Sequence, residues 1–270
     1  MAPATKTSLQ GENDSDRVER LYQTVARKIA EMVAQNRHEP GWRLPSEREL
    51  SEQLGVSRPV VREAVIALEV KGMVEVRRSQ GIVVLPEPPH TMNFIGLGAD
   101  IGPGPFELLE ARLSIEANAA ALAAERMPAE AMVELESYID QMHRENDVLL
   151  LNENGDRSFH MLIARSSGNA VIASLIEALW QQRDNSIMWR KLHEHIHAPS
   201  IRPLWIGDHY AILSALRLRN AEAAKRAMER HIKNVMNELL EASENGQVEF
   251  VETQIVGRQG HSNRKSEESK

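Results

Sequence analysis

The sequence predicts a mainly α-helical protein in two parts, an N-terminal winged helix-turn-helix followed by an all-α helical bundle. Three observations carry that reading. Only 4% of the 270 residues are aromatic while 42% are hydrophobic, a balance that with abundant Ala, Leu and Glu favours helix over strand. Apolar residues recur at helical spacing along most of the chain, with one short β-type interruption near residues 73–84. Finally, PEPPHTMNFIGLGADIGPGP, from Pro86 to Pro105, is rich in Pro and Gly and has no period, so it reads as a linker between the two parts.

The elements follow in order. Residues 1–16 are polar and aperiodic and are expected to be disordered. A winged helix-turn-helix module is expected over 17–85. Its first helix is drawn by Leu21, Val25, Ile29 and Met32/Val33 and ends at Pro40–Gly41. Ser46 followed by Glu49 is a capping box that opens a short helix with Leu50 and Leu54, and Gly55 stands where a helix C-terminal glycine belongs. Ser57 is placed to cap the third helix, which tolerates Pro59 in its first turn, buries Val61, Val65 and Leu68, and stops at Gly72. MVEVRR and IVVL then read as two strands joined at Ser79-Gln80-Gly81, a wing. A linker over 86–104 leads to a helical domain over 105–245, with helices near 105–126, 128–148, 149–167, 170–198, 203–218 and 220–243. A polar tail covers 246–270.

Charge is distributed in the same two parts. Residues 17–85 hold 12 Lys and Arg against 9 Asp and Glu, whereas the remainder holds 20 against 30, so a modestly basic module precedes an acidic body in a chain of net charge −7. The absence of cysteine excludes disulfide scaffolds, thiol catalysis and cysteine-ligated zinc fingers, leaving only nitrogen and oxygen ligands for any metal. No stretch approaches the roughly 18 to 20 apolar residues of a membrane span. A cytoplasmic location with no membrane partner is expected.

In a helix-turn-helix the second helix of the motif enters the DNA major groove with its N-terminal side chains at base edges. Here those are Ser57, Arg58 and Arg62. An arginine fork can bond guanine O6 and N7 together, and Arg48 on the preceding helix is placed to hold a phosphate. Arg77, Arg78 and Gln80 would set the wing beside the backbone or the minor groove.

The run LPSERELSEQLGVSRPVVREAVIALEVKGMVEVRRSQGIVV resembles the winged-helix signature of the GntR superfamily of bacterial transcription regulators. The body is similar to the all-helical effector domain of the FadR-type subgroup. Within it, PFELLEARLSIEANAAALAAERM and the KLHEHI run resemble the branch that represses hexuronate catabolism. The resemblance implies that Arg48, Arg58, Arg62 and Gly81 contact DNA, and that a homodimer binds a pseudo-palindromic operator and leaves it when a sugar acid binds.

Three histidines lie on apolar stripes, where an imidazole needs a partner. Asp156 and His160 share one helix face, His209 leads Ile212–Leu213–Leu216, and His231 continues Ala224–Met228 toward Val235. Singly, each reads as a satisfied core histidine. As a set of one carboxylate and three imidazoles they suit zinc, or nickel or manganese, with positions open to an effector. The resemblance supports the set, because the family carries an Asp-x-x-x-His and two further histidines in this arrangement. Arg112 falls on the stripe Leu108, Arg112, Ile115 and Ala119, so its guanidinium points inward and needs an anion, either Glu116 or the carboxylate of an effector. The resemblance favours the effector. Arg183 is a second effector candidate, with Trp180, Lys191 and His193 behind it.

Two alternatives compete. His193-Glu194-His195-Ile196-His197 matches the H-E-x-x-H pattern of zinc hydrolases, although Pro199 follows within a turn and no third ligand is evident. A DNA-binding architectural protein without an effector is the other, and the Asp/His set and Arg112 argue against it.

Overall fold

A computed structural model describes residues 19–35, 42–77, 80–86, 100–147, 154–196 and 198–244. The expected N-terminal segment 1–16, most of the linker, the tail 246–270, Arg78, Ser79 and His197 lie outside the described residues. Helix α1 (Leu21–Gln35) buries Tyr22, Val25, Ile29 and Val33. Helix α2 (Glu47–Leu54) opens with the expected capping box: Ser46 Oγ accepts from the Glu49 amide and the Ser46 amide donates to Glu49 Oε2 at 2.8 Å. Gly55 ends it in the left-handed conformation at φ 67°. Helix α3 (Arg58–Val70) follows directly, with Pro59 in its first turn. Ser57 occupies its N-cap, but against expectation the hydroxyl makes no capping hydrogen bond.

Strands β1 (Val74–Arg77) and β2 (Gly81–Val84) pair antiparallel, Val74 opposite Val84 and Arg77 opposite Gly81. Gly81, at φ 78°, takes a turn conformation that a side chain would disfavour. The segment before α2 joins this ribbon, since Leu44 donates to the Ile82 carbonyl at 2.9 Å and Val84 to that of Trp42 at 3.0 Å. One apolar cluster, from Val25, Ile29, Leu50, Val61, Val65 and Val74, closes beneath the three helices and the wing.

The second domain holds α4 (Pro105–Arg126), α5 (Ala129–Asp147), α6 (Asn154–Ser166), α7 (Ala170–Asn185), α8 (Ile187–Glu194), α9 (Ala198–Arg217) and α10 (Ala221–Glu244). Helix α4 is the central rod and packs against α6, α7, α9 and α10. Its Ala117, Ala120, Ala123 and Ala124 are buried, and their small side chains let neighbouring helices approach closely. The expected helix over 170–198 is two helices. Ser186 turns extended, and its Oγ accepts from the Trp189 amide at 3.1 Å, capping α8. Helix α9 starts at Ala198 rather than 203, and residues 149–153, where the expected third helix of this domain begins, lie outside the described residues. Among the described residues no helix is long and apolar enough to cross a membrane.

The largest core is shared between the domains. Tyr22, Ile66 and Ala67 belong to the same cluster as Phe106, Leu109, Met188, Leu192 and Ile196. One flank of α3 is therefore packed on the helical body, while its first turn, Arg58 to Val60, stays half-buried.

Candidate functional site

The four residues read as a metal set converge. Asp156 and His160 stand one turn apart on α6, His209 comes from α9 and His231 from α10. One ligand atom from each lies within 4.8 Å of the others. The three imidazoles are almost fully buried because each continues an apolar stripe, and Asp156 is partly open to solvent. His209 Nδ1 donates to the Trp205 carbonyl at 2.8 Å, which directs its Nε2 at Asp156 Oδ1, 2.9 Å away. His160 Nδ1 is engaged by Glu116 Oε2, which directs its Nε2 inward, 3.4 Å from Asp156 Oδ1.

The electrostatics divide the groups. Burial pushes the Asp156 carboxyl up, but the neighbouring His160 and the bond with His209 outweigh it and hold the group well below the ordinary range. Burial alone would discharge His160, yet Glu116 and Asp156 raise it to about 8. For His231, burial and then the neighbouring His209 outweigh the upward pull of Asp208 and Asp156 and lower it to about 3, leaving a neutral imidazole.

These residues fit a divalent cation. His160 Nε2 and His231 Nδ1 are buried without a hydrogen-bond partner, and buried polar atoms are rarely left so. Together the four side chains offer an ionised carboxylate and three imidazoles, a hard-to-borderline N/O donor set.

Arg112 meets the internal partner rather than an open site: its Nε donates to Glu116 Oε1 at 2.7 Å, both side chains being buried. Arg112 and His160 together hold the Glu116 carboxyl at about 2 despite its burial, Arg112 contributing more. The same guanidinium lies 3.9 Å from the Trp180 ring centre. Arg183 stacks between two indoles, 4.8 Å from Trp180 and 4.6 Å from Trp189, and bonds Asp184 at 3.3 Å. A narrow cavity beside the histidines is lined by Arg112, Arg183, Asp156, His231, Trp189 and Trp205. Trp189 and Trp205 were not singled out from sequence, and neither was the Glu116–His160 bond; an inward Glu four residues after an inward Arg is the signal that was available. Lys191 falls elsewhere, pairing with Glu194 at 2.7 Å on the flank toward α3, and His193 stacks on the Trp189 ring.

On the other domain Ser57, Arg48, Arg77, Gln80 and Gly81 are exposed, and Arg58 is half-buried in the first turn of α3. Arg48 lies 3.5 Å from Glu52, and Arg77 bonds Glu75 at 2.7 Å. Arg62 corrects the sequence reading. Its side chain is 1% exposed and Nη1 lies 2.9 Å from Glu47 Oε1, so it braces α2 against α3 instead of presenting its fork to a base.

A winged helix-turn-helix packed on a helical domain that encloses an Asp/His cluster defines a two-domain DNA-binding regulator. Residues 21–84 match the bacterial regulatory proteins of the gntR family, and residues 107–234 match the FCD domain. The chain belongs to the gntR family of bacterial regulatory proteins, its second domain being an FCD domain. It is 42% identical to the Uxu operon transcriptional regulator of Escherichia coli K12 over 83% of this chain and 89% of that protein. It is 39% identical to the Uxu operon regulator of Haemophilus influenzae, covering 84% and 85%. The Exu regulon transcriptional regulator of Escherichia coli K12 is 38% identical, covering 80% and 83%. The chain is thus a transcription regulator, and the hydrolase alternative falls, because its family and its relatives are transcription regulators and not enzymes.

Proposed function

We propose that this regulator represses genes of hexuronate catabolism and leaves its operator when a sugar acid binds the FCD domain. The observation that carries this reading is similarity across both domains, over 80% and more of this chain, to regulators of the Uxu operon and the Exu regulon. A homodimer binds a pseudo-palindromic operator, because one winged helix reads only a short half-site and two-fold protein symmetry matches two-fold DNA symmetry. Arg58 and Ser57 meet base edges, Arg48 a phosphate, and Arg77, Gln80 and Gly81 bring the wing to the backbone or minor groove.

In the second domain Asp156, His160, His209 and His231 hold one divalent metal, zinc in the first instance and nickel or manganese as alternatives. A bound metal would supply a Lewis-acidic site for carboxylate and hydroxyl oxygens. Arg183 offers the effector carboxylate a planar two-donor contact inside the cavity. Arg112, committed to Glu116, completes the wall and the charge balance there. Relief of repression requires an effector that favours a dimer geometry mismatched to the half-sites, since equal affinity for both states shifts nothing.

Titration calorimetry on metal-loaded protein with glucuronate, galacturonate and their keto isomers, alongside lactate and gluconate, tests the assignment. Binding confined to uronates supports it. Tight binding of a non-uronate acid with no uronate response overturns the pathway while leaving the regulator intact.

A further inference from the structure

Two acidic side chains on the flank of α3 reach out of the winged helix-turn-helix and into the FCD domain. Helix α4 opens at Gly104, which has no side chain to accept from its first amides, and continues with Pro105. The missing acceptor comes from the other domain. Glu63 Oε1 accepts from the amides of Phe106 at 2.8 Å and Glu107 at 3.0 Å, and the carboxylate sits at the positive end of the helix dipole. Gly104 makes this approach possible, because a Cβ there would fall inside the Glu63 carboxyl group. The bare N-cap and the distant carboxylate are complementary parts of one joint.

A second joint lies farther along α3. Glu69 Oε2 meets His195 Nε2 at 2.6 Å, just beyond α8, and Glu69 Oε1 lies 3.7 Å from Lys191 Nζ. Between the two joints Ile66 and Ala67 are buried in the core of the FCD domain. Alongside, the Tyr22 hydroxyl donates to the Gly102 carbonyl at 2.7 Å. The two helices that receive α3 also wall the cavity, α4 through Arg112 and α8 through Trp189. Thus Lys191 and His195 of the KLHEHI run, unused by the metal cluster, serve as the receiving side of this contact.

We propose that Glu63 and Glu69, received by the N-terminus of α4 at Gly104 and by Lys191 of α8 and His195 just beyond it, are positioning residues that fix the recognition helix on the FCD domain. They thereby set the half-site spacing that the dimer accepts. The proposal rests on the reading of α3 as the recognition helix of a dimer. Its mechanical basis is that hydrogen bonds from an acidic side chain at each end of a buried apolar contact leave a rigid helix little freedom to turn.

The test uses two full-length variants, Gly104→Ala and His195→Leu, both outside the DNA-binding domain, so every direct DNA contact stays as it was. The alanine Cβ displaces only the flexible end of Glu63, and the leucine removes the partner of Glu69. The probe is a duplex selected by the wild-type protein from a random-sequence library, compared with versions carrying one base pair more or fewer between half-sites. Wild type is expected to lose at least tenfold in affinity for either altered spacing, whereas each variant loses less than threefold and binds the original duplex several-fold more weakly. Hydrogen exchange should show the Phe106 and Glu107 amides protected in wild type and faster-exchanging in Gly104→Ala. Variants with those amides opened but wild-type spacing selectivity overturn the proposal, as does a wild type indifferent to spacing. A wild type that selects no duplex at all overturns the regulator reading beneath it, a separate failure.

Discussion

Replacing Arg62 separates a structural arginine from a DNA-reading one. Its guanidinium is almost entirely buried and lies 2.9 Å from Glu47, itself 7% exposed. Arg62→Ala leaves a buried carboxylate without that counter-charge, and breaking such a pair typically costs about 3–5 kcal/mol. That is a large part of the roughly 5–15 kcal/mol that holds an ordinary domain together. The double variant Glu47→Leu, Arg62→Met removes both charges and keeps apolar volume, so most of the loss should be recovered. Arg58→Ala, in the half-buried first turn of α3, should leave stability within about 0.5 kcal/mol of wild type while weakening specific operator binding by about 1–3 kcal/mol. Urea unfolding and footprinting on the same preparations provide both quantities. An Arg62→Ala protein as stable as wild type that nevertheless loses the operator would refute the structural assignment, and so would a double variant no more stable than the single.

Three further outcomes are expected. His209→Ala with His231→Ala should purify with little bound metal and gain no thermal stability from added zinc, because a ligand that binds only the native state raises its melting temperature; full occupancy by elemental analysis would remove these residues from the set. Glu116→Gln should weaken zinc binding about 10- to 100-fold in a competition titration while all four ligands stay in place, since it takes away the carboxylate that orients His160; unchanged affinity would reduce the Arg112–Glu116–His160 chain to packing. The third outcome concerns pH: burial raises the Glu63 carboxyl to about 7 from an ordinary 4.5, against the pull of the Phe106 and Glu107 amides and with the nearby Glu107 and Glu110 charges adding to the rise. The folded state therefore holds this proton more tightly than the unfolded chain, so the contribution is present below about pH 4.5 and fades as pH climbs through 7. The loss is about 3 kcal/mol across that window, and the difference in unfolding free energy between wild type and Glu63→Gln should trace it.

The parts of this molecule governed by local chemistry were legible without coordinates. Ser46, Glu49 and Gly55 mark both ends of α2 because their bonds close within the helix they cap. The convergence of Asp156, His160, His209 and His231 was legible as well, since Asp156 and His160 share a helix face and His209 and His231 continue apolar stripes that must turn inward. What escaped depends on partners far along the chain. Arg62 follows Arg58 by one helical turn and reads as a second base contact until the crossing of α2 and α3 brings Glu47 against it. The break at Ser186 escaped because a serine amid polar residues carries no Pro or Gly signal, and its capping role appears only with the Trp189 amide. Gly104 before Pro105 was read as linker, because glycine carries no capping side chain to mark a helix start; the acceptor for the first amides comes from Glu63, 41 residues earlier in the chain. The inward direction of Arg112 was read from its stripe, and of its two open partners the structure pairs it with Glu116.

The central claim joins DNA release to a sugar acid bound in the FCD domain. It is tested most directly by titrating the complex of metal-loaded protein and its selected operator with glucuronate, galacturonate and their keto isomers, following release by fluorescence anisotropy, with gluconate and lactate in parallel. The account expects at least one uronate or keto isomer to release the operator, gluconate and lactate to be ineffective, and the His209→Ala, His231→Ala protein to stay bound at the same concentrations. Release by gluconate or lactate with no response to any uronate, or equal release from the protein lacking both histidines, would contradict it.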